Sequence, residues 1–197
     1  MSYLLLLASA GFGVAAYSFY FKDTVSAEIK PNRWSWLIWS ITTAVESVTY
    51  HEVSGDWMKS TVFFLSAVCC GVVTARIWTK SKWQTPDWSE VVSIVASLGA
   101  LGIWFKYRDV LGAHYLVVGA LPIAFFPTWK EAWKDFGKEF TWAWPLWTIG
   151  DFFAILLILS RFEKREELPY AVMECLCHLV VWGIVAFKRR EALDSQV

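Results

Sequence analysis

The sequence predicts an all-α transmembrane fold: seven helices in a 3+1+3 order, two three-helix bundles repeated in parallel around one linking helix. Three observations predict it. The chain is 56% hydrophobic, with mean hydropathy +0.41 and only 18% charged residues, whereas a soluble domain carries about 25% charge. Its apolar residues fall into seven long runs. A tryptophan-rich stretch in the second run returns in the sixth.

The runs cover residues 3–21, 34–50, 57–78, 88–105, 111–128, 142–160 and 169–187. Runs of this length cross a hydrocarbon core of about 30 Å as helices. Lipid offers the backbone no hydrogen-bond partners, so a single run must satisfy them internally as a helix. The first run is too long for a signal peptide and lacks the basic leading segment, so it reads as the first membrane helix. The second opens on "WSWLIWSI" from Trp34, and the third carries Cys69 and Cys70. The fourth is the linking helix. The fifth is interrupted by Pro122 and Pro127, which break its hydrogen-bond ladder and offer a hinge. The sixth begins "WAWPLWTIGD" and continues "FFAILLIL"; the seventh contains "MECLCHLVVW". The domain organisation that follows is a first repeat at 1–83, the linking helix at 84–108, a second repeat at 109–190 and a cytoplasmic tail at 191–197. Trp57, Trp78, Trp83, Trp88, Trp129, Trp133 and Trp142 stand at span ends, where indoles form an interfacial belt.

Orientation follows from Lys and Arg. With seven spans, the N-terminus and the loops after runs 2, 4 and 6 share one side and carry six basic residues, against twelve on the other. The richer side is cytoplasmic, which places the N-terminus outside and the C-terminus inside the plasma (inner) membrane. The formal net charge is zero, and nothing points to nucleic acid.

Shifting the chain by 108 residues puts Trp34, Trp36, Trp39 and Ile41 on Trp142, Trp144, Trp147 and Ile149. The register also matches Gly11 with Gly119, Lys30 with Lys138, Cys69 with Cys177, and Lys80 with Lys188. Helices 1, 2 and 3 fall on 5, 6 and 7. Three helices and one linker return the second unit to the first unit's orientation, so the repeat is parallel about the membrane normal, with the site expected between the halves near the midplane. Gly11 and Gly119, both mid-helix, are expected to permit close helix packing.

The layout resembles the SWEET sugar facilitators and the wider PQ-loop group, which includes the PnuC-type vitamin transporters. The PnuC-type proteins carry a W-x-x-W-x-x-x-N/D motif, and helix 6 is similar to it at Trp144, Trp147 and Asp151. Helix 2 reads Trp36, Trp39 and Thr43, without the acid or amide. No Pro-Gln pair is present, and "KPNRWSWLIW" resembles small uncharacterised prokaryotic membrane proteins. The resemblance implies a seven-helix carrier of a sugar- or vitamin-like solute.

Helical period places Trp144, Trp147 and Asp151 on one face of helix 6, and Trp36, Trp39, Thr43 and Glu46 on the matching face of helix 2. A mid-span carboxylate costs at least ~2.5 kcal/mol to insert and faces a bundle interior or watery cavity with a partner. Asp151 is therefore expected to line a central site walled by the four tryptophans, which either pack or stack on a planar ligand. Glu46 either joins this site or faces a neighbouring protomer of a homo-oligomer. Glu174 and His178 are four apart on helix 7, and as a pair they suit proton relay or solute binding. His114, near the start of helix 5, is expected at the interface. Cys175 and Cys177 point about 200° apart on a helix of 3.6 residues per turn, so no metal site is expected from "CLCH". No nucleophile–base motif, phosphate loop or cofactor fingerprint occurs, so neither enzymatic activity nor a cofactor is expected. The reading is a carrier of a small polar solute working by alternating access in a lipid bilayer; the alternative is a receptor or sensor on the same scaffold.

Overall fold

The computed structural model describes residues 1–80 and 85–195, and these fold as seven long α-helices with two short 3₁₀ turns. The helices are α1 Ser2–Val25, α2 Arg33–Ser54, α3 Trp57–Lys80, α4 Trp88–Tyr107, α5 Val110–Lys134, α6 Ala143–Ser160 and α7 Leu168–Asp194. Each expected span lies within one of them, except that Trp142 is the residue before α6 rather than its first. Helix α7 runs on to Asp194, so most of the expected tail is helical. Lys82, Trp83 and the boundary expected between 83 and 84 lie outside the described residues, as do Gln196 and Val197.

Local chemistry sets the helix ends. The Asn32 side chain accepts from the Trp34 and Ser35 amides to start α2, a standard use of asparagine at a helix N-cap. Asp87 and Glu90 form a reciprocal capping box at the head of α4. Gly55 ends α2 at φ +67°, a left-handed turn that glycine adopts without Cβ strain, and α3 starts two residues later.

Six of the seven helices are long and apolar enough to cross a membrane. The exception is α2. Fourteen of its 22 residues are buried, against four of 24 on α1, so most of its polar side chains, Thr42, Thr43, Glu46 and Thr49 among them, face protein rather than lipid. That position lets a membrane bundle tolerate a polar helix.

Helix α3 packs on both α1 and α2, and α7 packs on both α5 and α6. Between these groups α1 packs against α6 and α2 against α5, while α4 lies on α5 and α2. Helices α1 and α6 approach closely at Gly150, where an added Cβ would come within 3.3 Å of the Gly13 nitrogen and the Ser9 carbonyl of α1. Gly11 and Gly119 do not make the expected close contacts: a Cβ at either would meet nothing within 4 Å. The α1–α6 crossing is centred on Gly150 and Gly13 instead.

Contacts between loops show that successive helices run in opposite directions. At one end Lys59 Nζ donates to the Arg161 carbonyl at 3.0 Å, Lys164 Nζ donates to the Val53 carbonyl at 2.6 Å, and the Ser2 and Ser160 hydroxyls lie 3.3 Å apart. At the other end the Lys30 amide donates to the Lys138 carbonyl at 3.1 Å, and Asn32 Nδ2 donates to Glu90 Oε1 at 2.6 Å.

Candidate functional site

Four indoles occupy the bundle centre. Trp36 and Trp39 sit one turn apart on α2 with ring centroids 5.2 Å apart, and Trp144 and Trp147 do the same on α6 at 5.1 Å. Across the bundle Trp36 meets Trp147 at 6.2 Å, and Trp39 meets Trp144 at 6.2 Å. Tyr17 of α1 packs edge-on to Trp147, and Phe125 of α5 stacks on Trp39. These distances suit tilted and edge-to-face aromatic packing.

The four indole N–H groups are not equivalent. Trp36 Nε1 donates to the Tyr20 hydroxyl at 3.2 Å, and Trp144 Nε1 donates to the Glu139 carbonyl at 3.0 Å. Trp39 Nε1 and Trp147 Nε1 are buried without a hydrogen-bond partner among the described residues.

Two adjoining cavities flank this cluster. The first holds about 520 Å³ of empty space, its mouth included, between α1, α3, α6 and α7, and is lined by Ser9, Ser66 and Asp151 among others. The second holds about 340 Å³ of empty space, its mouth likewise included, and its walls include Trp36, Trp39, Thr43 and Trp144. Tyr17, Trp147, Glu174 and His178 line both and form the partition between them.

Asp151 meets His178 in that partition. His178 Nδ1 and Asp151 Oδ2 share a hydrogen bond of 2.7 Å, and their side chains are 10% and 15% exposed. The imidazole stacks on Trp147 at 5.3 Å and 16°, which turns Nδ1 towards α6. Glu174 and His178 therefore do not pair with each other as the i,i+4 spacing suggested. Both reach the cavities, but His178 is bonded across to α6, and Glu174 makes no ion pair among the described residues.

Of the nine candidates, Trp36, Trp39, Thr43, Trp144, Trp147, Asp151, Glu174 and His178 line one cavity or both. Glu46 does not. It is fully buried, with its carboxylate 3.0–3.1 Å from His114 Nδ1. His114 is likewise fully buried rather than interfacial, because the start of α5 is covered by α2 and by the α6–α7 loop, whose Glu166 carbonyl lies 3.0 Å from Nε2. Sequence reasoning also missed Tyr17 and Phe125. A signal for them existed: they are 108 residues apart, the interval that relates the tryptophans.

Beyond the cavities, polar clamps tie the loops. Lys59 Nζ, wholly buried, donates to Glu167 Oε1 at 2.9 Å, and Arg161 Nε donates to Asp56 Oδ2 at 2.6 Å. Burial works to raise the Asp56 carboxyl, but the Arg161 guanidinium and the Met58 amide outweigh it and hold the group below its ordinary range. At the opposite end the Tyr20 hydroxyl donates to Glu139 Oε2 at 3.0 Å. Burial pushes the Glu139 carboxyl up to about 8, against the Tyr20 hydrogen bond and with help from the nearby Glu131 charge.

The site thus offers aromatic walls, two unpartnered indole donors, a hydrogen-bonded carboxyl–imidazole pair and a further carboxyl. Such a set can bind a small polar molecule and hold or pass protons. Comparison with family models, curated proteins and solved structures finds no match to this chain.

Proposed function

We propose that the protein is an integral membrane carrier of a small polar solute, sugar- or vitamin-like, that works by alternating access through the paired cavities. The observation that carries the reading is the arrangement of those cavities: they adjoin at the bundle centre and share a wall of Trp147, Glu174, His178 and Tyr17. Buried polar and ionisable groups inside a membrane bundle mark solute and ion pathways.

The parallel-repeat reading is supported by which helices touch. Exchanging α1, α2 and α3 with α5, α6 and α7 turns the α1–α6 contact into α5–α2, and both contacts occur. It also turns the Trp36–Trp147 pair into Trp144–Trp39, and both pairs lie at 6.2 Å. The resemblance of the motif and layout to PnuC-type and SWEET proteins points the same way.

The test is a two-step experiment. A thermal-stability screen of the purified protein against sugars and vitamins finds a ligand, and counterflow into proteoliposomes then asks whether it crosses. The expected result is stabilisation with uptake. Stabilisation without uptake assigns the scaffold to a receptor or sensor, and a solute that binds with Trp39 and Trp147 both replaced by Phe removes the central site.

A further inference from the structure

Four buried oxygens without a well-formed hydrogen bond lie between the α6–α7 loop and the central cavities: Glu167 Oε2, the Tyr50 hydroxyl, Glu46 Oε1 and the Tyr170 hydroxyl, which leans on the Thr43 and Glu174 side chains. Glu46 shows why one is left over. Both its oxygens lie 3.0–3.1 Å from His114 Nδ1, but one ring position can complete only one good bond. Buried polar groups are nearly always satisfied, so four together in one region call for an explanation.

They also form a sequence of neighbours. Tyr50 lies within electrostatic reach of Glu167 and Glu46, Tyr170 within reach of Glu46 and Glu174, and Glu174 within reach of Asp151. The Phe63 ring packs between the two tyrosines, 4.3 Å from Tyr50 and 5.5 Å from Tyr170. One end of the file is the loop clamp, where Lys59 holds the other Glu167 oxygen at 2.9 Å. The other end is Glu174, which lines both cavities.

The file is not a by-product of the repeat. The 108-residue shift carries Glu46 to Ala154, Tyr50 to Ile158, Tyr170 to Val62 and His114 to Leu6. The matching path in the other half is therefore apolar at these four positions, and the polar one has been built on one side only.

We propose that this file conducts protons between the α6–α7 loop end and the central carboxyls, so that the carrier is proton-coupled. A proton taken up at Glu167 forms one O–H bond. Each group onward, or a water between two groups, accepts a proton and releases its own, until Glu174 or the Asp151–His178 pair receives one. Each transfer breaks one bond and forms one, and no redox partner is needed. Carboxyl and histidine chains serve this role in membrane pumps and transporters. Facing Glu46 are His114 from α5, Thr49 and Tyr50 from its own helix, and Tyr170 from α7. Facing Glu174 are Asp151 from α6, Glu46 from α2, Tyr170 from its own helix and, across the shared cavities, Tyr17 from α1, Cys69 and Cys70 from α3 and His178 from α7.

The coupling rests on the carrier reading, but conduction is measurable without any solute. The full-length protein is reconstituted in liposomes loaded with a fluorescent pH dye, and a potassium diffusion potential, interior negative, drives protons inward. The expected result is acidification faster than in protein-free liposomes, lost in Glu46→Gln and in Tyr170→Phe, which removes a single oxygen, and retained in the exposed control Glu52→Gln. A wild-type rate equal to protein-free liposomes, or Tyr170→Phe conducting like wild type, overturns the proposal. Solute uptake without proton flux would leave the carrier standing and sink this inference. Proton flux with no bound solute would do the reverse.

Discussion

Lys59 and Glu167 form a wholly buried ion pair at 2.9 Å, and they stand 108 residues apart in the chain. The pair therefore joins the head of α3 to the head of α7 at one point. Breaking a buried pair by removing one partner leaves an uncompensated charge and costs about 3–5 kcal/mol, whereas replacing both with apolar residues is often neutral. Lys59→Met should lower the thermal midpoint in detergent strongly, and Lys59→Met with Glu167→Leu should recover most of the loss. Equal midpoints for the single variant and the wild type would show that the pair does not pin the loops.

Glu139 makes stability depend on pH. Its carboxyl is raised from 4.5 to about 8 because burial disfavours the charge, so between those values the folded protein holds a proton that the unfolded chain has released. Stability from this group is present at the acid end, falls as pH rises through that window by at most about 1.4 kcal/mol per unit, and levels off above it. Thermal melts across the window should show the decline, and Glu139→Gln should flatten it. An unchanged slope in the variant assigns the effect elsewhere.

The Asp151–His178 bond separates charge from packing. Asp151→Asn keeps the shape and a hydrogen-bonding group opposite His178, so the fold should survive while solute uptake is abolished if the carboxylate binds a cationic solute or carries a proton. Asp151→Leu leaves His178 Nδ1 without its partner, a loss of ~1 kcal/mol as for other hydrogen bonds within membranes. Normal uptake by both variants would remove Asp151 from the site.

Two glycines should behave oppositely. Gly150→Ala places a Cβ within 3.3 Å of α1 backbone atoms, and such overpacking costs about 1–3 kcal/mol. Gly11→Ala meets open space and should be neutral or stabilising by up to about 1 kcal/mol through helix propensity. Melting curves of the two variants read the difference directly.

The spans were legible because lipid demands long apolar runs, and six helices carry that signal. The second helix is the weakest by hydropathy and reads as a span from its apolar run, with the tryptophan echo of the sixth run beside it. The central face was legible for the same reason: Trp36, Trp39, Trp144 and Trp147 share a helical period with Thr43 and Asp151. What the period could not supply was the neighbour. Glu46 lies on the same nominal face as Thr43, yet a partner from α5, His114, turns it away from the cavities. His178 shares a face with Glu174, yet stacking on Trp147 aims it at Asp151. The Lys59–Glu167 pair was not legible, because nothing in the sequence neighbourhood of Lys59 reveals a carboxylate 108 positions away.

The two ends of the bundle are closed by different sets of bonds. One is fastened by charges, Lys59 with Glu167 and Arg161 with Asp56. The other is fastened by an amide–carbonyl bond from Lys30 to Lys138, by the Tyr20 hydroxyl on Glu139 and by a half-exposed Lys138–Glu131 ion pair. Added salt weakens the partly exposed Arg161–Asp56 pair and hardly reaches the buried Lys59–Glu167 pair, while alkali ionises Glu139. Alkalinity thus acts at one end of the bundle, through the buried proton on Glu139, while ionic strength acts on the exposed ion pairs of both ends.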